Sequence, residues 1–163
     1  MTDETRRVVI GLGHEFRGDD AAGLVVVDRL RDRVAPSVEV VASDGDPVEL
    51  MESWDGADSV VLVDAVVSGR APGTVHVWHG DMPDVKSPIR SSSHQLGLVE
   101  VLALAAALQR APRDLVVVGI EVAVVAPGAE MTPEVAAGVA RAVDIVSALC
   151  RHPAAVGTGA LYA

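Results

Sequence analysis

Cysteine occurs once in the 163 residues, as Cys150. That excludes an intramolecular disulfide and any zinc cluster built on paired thiolates, and it sets the expectation of a reducing compartment. Aromatic side chains make up 2% of a chain that is 50% hydrophobic, so the core must be assembled from Val, Leu, Ile and Ala. No apolar run reaches the length of a membrane helix, because acids and arginines interrupt each one. The start MTDETRR lacks the apolar stretch of a signal peptide. Together these lacks predict a cytoplasmic protein with no membrane partner. Positive charge is also scarce. Thirteen Lys and Arg face 23 Asp and Glu, for a net charge of -10, which would repel nucleic acid and anionic lipid. The chain has no Gly-Lys-Ser/Thr of a Walker loop and no G-x-S-x-G elbow of a serine hydrolase.

What is present alternates between two periodicities. RRVVIGLG, VEVVAS, DSVVLVDAV, GTVHVW and DLVVVGIEV read as five strands, rich in β-branched residues and bounded by turn formers. Between them, DDAAGLVVVDRLRDRV, PVELMESW and HQLGLVEVLALAAALQ carry helical spacing, and Thr132, Pro133 and Glu134 open a last helix with a cap residue, a first-turn proline and an early acid. Strands alternating with helices predict a single α/β domain over residues 1–151: a three-layer α/β/α sandwich around a mixed five-stranded sheet with one antiparallel strand. Residues 152–163, rich in Gly and Ala, are expected to be a flexible tail. Between Val66 and Pro72 there is no room for a helical crossover, so the third and fourth strands are expected to pair as an antiparallel hairpin.

The stretch GLGHEFRGDDAAG, residues 11–23, begins like a dinucleotide loop, but Phe16 stands where a third glycine is needed, and Asp19 and Asp20 would repel a phosphate. A cation suits the loop better. The predicted topology brings three ligand-type side chains to the carboxyl edge of the parallel strands, where open α/β sheets bind ligands. Asp20 follows the first strand, Asp64 ends the third, and His94 heads the helix before the fifth. Two carboxylates and an imidazole make an open site for a divalent transition metal. Each residue also has a structural reading: Asp19 or Asp20 as a helix cap, Asp64 as a strand-end acid, and His94 as a bystander between Ser92 and Gln95 in a capping box. His76 and His79, three apart along a strand, point to opposite faces and cannot easily share a metal. Cys150 reads as packed, and Glu121 either as a supporting acid reaching the same edge or, the preferred reading, as a solvated strand end.

The pieces GLGHEFRGDDAAG, VVLVDAV, SSSHQLGLVEVLALA and VVGIEVAVVAPGAEMTPEV, in this order over nearly the whole chain, resemble the NiFe-hydrogenase maturation endopeptidases. That resemblance implies removal of the C-terminal extension from a hydrogenase large-subunit precursor. By motif, Asp20, Asp64 and His94 are implied as the catalytic, nickel-contacting residues. The nickel is implied to arrive inside the precursor, with no resident organic cofactor, and metal delivered in this way requires no dimer, so a monomer is expected. A non-catalytic metal-binding maturation chaperone on the same fold is the alternative. The chain departs from the family pattern at His14, where Asn is usual, and at Asp46 and Pro47 after the second strand, where the loop bears on selectivity.

Overall fold

The valine-rich runs become strands and the striped segments become helices. The computed structural model describes residues 5–80, 97–123, 125–152 and 160–162. In chain order it contains β1 (Arg7–Leu12), α1 (Ala22–Leu30), β2 (Val38–Ser43), α2 (Pro47–Trp54), β3 (Ser59–Val66), β4 (Val75–His79), α3 (Leu98–Ala107), β5 (Leu115–Glu121), α4 (Pro133–Arg151) and β6 (Ala160–Tyr162). The sheet order is β2-β1-β3-β5-β4-β6. β1, β2, β3 and β5 are parallel, and β4 runs antiparallel to β5.

The five expected strands are all present, and β4 has the expected direction. Its partner is different: β5 lies between β3 and β4, so no hairpin forms. The reason is burial. Val116, Val117, Val118 and Ile120 of β5 are all buried, and a strand apolar on both faces is stable only in the interior of a sheet. The short connection from β3 to β4 therefore crosses over the carboxyl end of β5. Two strand spacings of about 4.8 Å are well within the reach of eight residues. The tail also departs from expectation, because Ala160–Tyr162 adds a short strand antiparallel to β4.

Two apolar layers enclose the sheet. On one face, Val26, Val27 and Leu30 of α1 and Val139 and Val146 of α4 pack on Val9, Val63 and Val118. On the other, Leu50 and Trp54 of α2 and Leu98 and Val101 of α3 pack on Ile10, Leu62 and Val117. Each fully buried valine contributes about 2 kcal/mol of transfer free energy, so this aliphatic interior offsets its lack of aromatics by number. The indole N–H of Trp54, at the end of α2, donates to the Arg110 carbonyl at 2.8 Å. That contact places the end of α3 at the amino edge of the sheet and its start at the carboxyl edge.

Because β2 lies on one side of β1 and β3 on the other, the chain reverses its winding between β1 and β3. In open sheets this point opens a crevice at the carboxyl ends. α1 is pressed into it. A Cβ on Gly23 would lie 2.3 Å from the Leu12 carbonyl oxygen and 2.4 Å from that of Val63, so only glycine lets the helix start rest on both strands. Gly23→Ala is expected to cost about 3 kcal/mol, since backbone on two sides cannot yield. Urea unfolding measures the loss, and a change of under about 0.5 kcal/mol would refute the tight contact.

Candidate functional site

The chain leaves β1 through Gly13, whose φ is +152°. A Cβ there would lie 2.0 Å from the Asp20 carbonyl oxygen, and that oxygen accepts the His14 N–H at 3.3 Å. The glycine thus folds the loop back onto a 3-10 turn, Gly18–Ala21, that carries both acids. Asp19 and Asp20 are each 0% exposed, yet they have different tasks. Asp19 is an internal tether. Its Oδ1 accepts the Thr132 N–H at 2.7 Å and the Thr132 hydroxyl at 3.0 Å, and its Oδ2 accepts the Ala123 N–H at 3.0 Å. Thr132 starts α4 as expected, but its hydroxyl serves Asp19 instead of capping its own helix. The loops after β1 and β5 are joined a second time where the Gly128 N–H donates to the Phe16 carbonyl at 2.8 Å.

Asp64 is 1% exposed, and its Oδ1 accepts the Ala65 N–H at 2.9 Å. Register places it opposite Gly119 of β5 and, through the strand period of two, on the α2/α3 face with Leu62 and Val66. Asp20 and Asp64 therefore stand at the carboxyl ends of the neighbouring strands β1 and β3, on either side of the switch point. His94, with Ser92 and Gln95, lies outside the described residues, as does the part of the predicted helix before Gly97. Among the described residues no group of three or more His, Cys, Asp or Glu side chains gathers at metal-binding distance.

A second buried polar group lies further along the same edge. Glu121, read from the sequence as a solvated strand end, is 2% exposed. Its Oε1 accepts the N–H groups of Ser68 at 2.7 Å and Gly69 at 3.0 Å, and its Oε2 accepts the Ser68 hydroxyl at 2.8 Å. His76 Nε2 lies 3.0 Å from Oε2, and the His76 ring stacks on Trp78 with centroids 4.9 Å apart. Ser, His and Glu are the residue types of a hydrolytic triad, but here the hydroxyl and the carboxylate meet the same ring nitrogen. A triad needs them on opposite nitrogens, so this trio is not a serine-hydrolase centre. The signal for it was an acid inside an apolar run, VVVGIEV, at even spacing from Gly119. His79 is half-buried on the opposite strand face, as its spacing predicts.

The remaining candidates sort by geometry. Asp46 caps α2, accepting the Val48 N–H at 2.9 Å and the Glu49 N–H at 3.0 Å, with Pro47 as the first helical residue. The departure from the family pattern at this loop is thus an ordinary helix start. Phe16, the only phenylalanine, is 76% exposed, and Val48 and Val67 are also exposed. They come from the segments after β1, β2 and β3, and so rim the carboxyl edge with apolar surface. Cys150 is buried. Burial pushes its thiol above the ordinary 9.0, and the nearby positive charges of Arg7 and Arg151 oppose the shift without cancelling it.

The sheet carries buried carboxylates on both sides of its switch point, the place where open α/β sheets bind ligands. Comparison with known proteins makes this particular. A family model described as hydrogenase maturation protease matches residues 24–149. The hydrogenase 2 maturation protease of Escherichia coli is 30% identical over 150 residues, covering 90% of this chain and 92% of its own. HupM of Azotobacter chroococcum, a hydrogenase expression/formation protein, is 34% identical over 70% of this chain and 56% of its own length. Among solved structures, the maturating endopeptidase HybD of Escherichia coli superposes with a TM-score of 0.71 at 28% identity, over 91% of this chain and 94% of its own. HybD of Thermococcus kodakarensis superposes at 0.70 and 28%, over 89% and 99%. The chain belongs to the hydrogenase maturation protease family.

Two measurements check the site's architecture. Asp19→Ala strands three donors that bond a charged acceptor, at a cost of about 3 kcal/mol and a Tm lowered by roughly 6–12 °C. An unchanged melting curve would refute the tether. Cys150 is expected to react with a thiol reagent at pH 8 far more slowly in the native protein than in denaturant. With its folded value raised, the thiol's contribution to stability is intact below pH 9.0 and declines as the pH climbs above that, where only the unfolded chain loses the proton.

Proposed function

We propose that this protein is the endopeptidase that removes the C-terminal extension of a NiFe-hydrogenase large-subunit precursor after nickel insertion. In this reading Asp20, Asp64 and His94 contact nickel that the precursor carries. The observation that supports it most is the burial of Asp20 and Asp64 at the carboxyl ends of adjacent strands, at 0% and 1% exposure, in a chain of this family. Carboxylates are almost never fully buried without a task that repays the desolvation. Asp19 ties the loop after β1 to the start of α4, and Asp20 and Asp64 flank the ligand crevice.

The donor set suits the metal. Two carboxylate oxygens and an imidazole nitrogen match a borderline divalent ion such as nickel, and they leave positions for groups of the precursor. Nickel in that position would act as a Lewis acid toward the scissile carbonyl or toward the attacking water. The chain's own part is to hold the Asp20 and Asp64 carboxyl groups in a fixed, buried place, where their oxygens would meet a cation without first being reorganised. Precursor without nickel lacks the bridging charge and meets only the acids. Phe16, Val48 and Val67, each exposed at the carboxyl edge, offer apolar contacts to a macromolecular substrate.

The test is to incubate nickel-loaded and nickel-free large-subunit precursor with wild type and with Asp20→Asn, Asp64→Asn and His94→Ala, and to read loss of mass at the precursor's C-terminus. Wild type is expected to shorten only the loaded precursor. Each variant should be slower by roughly a hundredfold or more, in the range lost with a key electrostatic group. Asp20→Asn and Asp64→Asn should keep their Tm or raise it, since charges buried for function weaken the fold that holds them. Equal cutting of nickel-free precursor would sink the proposal. Binding without cutting would leave the chaperone reading.

A further inference from the structure

The geometry points to the β3–β4 connection as a preformed wall of the substrate site, with Glu121 as the residue that positions it. This inference rests on the endopeptidase reading and adds to it the surface that grips the precursor chain. Residues 67–72 are all exposed, although they follow the buried end of β3 and pass directly over the end of β5. The crossing is pinned at both ends by Glu121. Its carboxylate holds the Ser68 and Gly69 N–H groups and the Ser68 hydroxyl. Its main chain holds the far end: the Glu121 carbonyl accepts the Gly73 N–H at 2.8 Å, and the Glu121 N–H donates to the Thr74 carbonyl at 2.8 Å. His76 closes the remaining side of the carboxylate, and Trp78 stacks against His76.

A connection that had only to bridge two strand spacings would not need a buried acid. Eight residues can span about 26 Å, against the roughly 10 Å required. Burying a carboxylate is expensive unless it is fully bonded. Glu121 offsets that cost with three donated hydrogen bonds, and what it gains is a crest of fixed shape. The crest adjoins the candidate site. Asp64 lies two residues before the end of β3, opposite Gly119, while Val66 lies opposite Glu121, so Asp64 and Glu121 occupy the same sheet face two residues apart. At the crest Val67 is 43% exposed, and Arg70 is exposed as the only cation between Asp64 and Pro72 in a chain of net charge -10. An extended segment of the precursor with an apolar and an acidic residue fits such a wall. Apolar contact to Val67 and charge pairing to Arg70 would hold it beside Asp64.

Contacts made equally in the ground and transition states change KM and leave kcat alone. The double surface variant Val67→Ser/Arg70→Glu changes only exposed side chains and is expected to raise KM for nickel-loaded precursor, and its Kd, by roughly tenfold, with kcat within about threefold. Glu121→Ala should raise KM similarly. It should also speed amide exchange at Ser68 and Gly69 and trypsin cleavage after Arg70, while the amides of β1 and β3 stay protected. Glu121→Gln keeps an acceptor for the two amides and should restore both readouts most of the way. A surface variant with unchanged KM and Kd, against a wild type that cuts, would overturn the wall while leaving the endopeptidase reading intact. A wild type that binds precursor without cutting would defeat the endopeptidase reading, and Kd alone would then decide the wall. A wild type that neither binds nor cuts would defeat both. If Glu121→Ala lowered Tm and kcat with KM unchanged, Glu121 would be a structural residue only.

Discussion

The structure depends on one close approach, where the start of α1 lies against the ends of β1 and β3 with main chain touching main chain. Gly11, Gly13 and Gly23 permit it, each at a point where a methyl group would fall 2.0–2.3 Å from a carbonyl oxygen. A dinucleotide-binding loop uses comparable glycines to let a phosphate near the backbone. Here the space is filled by protein. The same contact seats Asp19 and Asp20 on a tight turn, and Asp19 then fastens that turn to the start of α4. The candidate site is rigid because the backbone beneath it has no room to move.

Charge is distributed inside this protein in one place. Asp19, Asp20, Asp64 and Glu121 are the carboxylates buried among the described residues, and all four stand at the carboxyl ends of β1, β3 and β5. The rest of the buried interior is mainly aliphatic, joined by Trp54, Trp78 and the polar Thr74, His76 and Ser147. Two of the four tie distant segments together, Asp19 at the α4 start and Glu121 under the crest. Asp20 and Asp64 flank the switch point. Asp19 and Glu121 fix the neighbouring loops through their hydrogen bonds, and these loops wall the edge at which Asp20 and Asp64 stand.

Much of the architecture was legible in the chain because it is local. The limits of β2 and α2 follow from β-branched runs and from Asp46-Pro47, and the start of α4 from Thr132-Pro133. The pairing of β3 with β5 was not legible, since strand neighbours are chosen by the burial that each strand needs and not by closeness in sequence. The motif singled out Asp20, but nothing in the letters gave Asp19 a separate role. They are separated by which of them meets Thr132 and Ala123, more than a hundred residues away.

By itself the sequence determined the class of fold, the direction of β4, the family, and the standing of Asp20 and Asp64 at the carboxyl edge, because composition, periodicity and motif are properties of neighbouring residues. Tertiary structure alone decided that β5 divides β3 from β4, that Ala160–Tyr162 extends the sheet, and that Glu121 is buried beneath the crossing rather than solvated. Burial is set by what the rest of the chain places on top of a residue, and no local pattern contains that information.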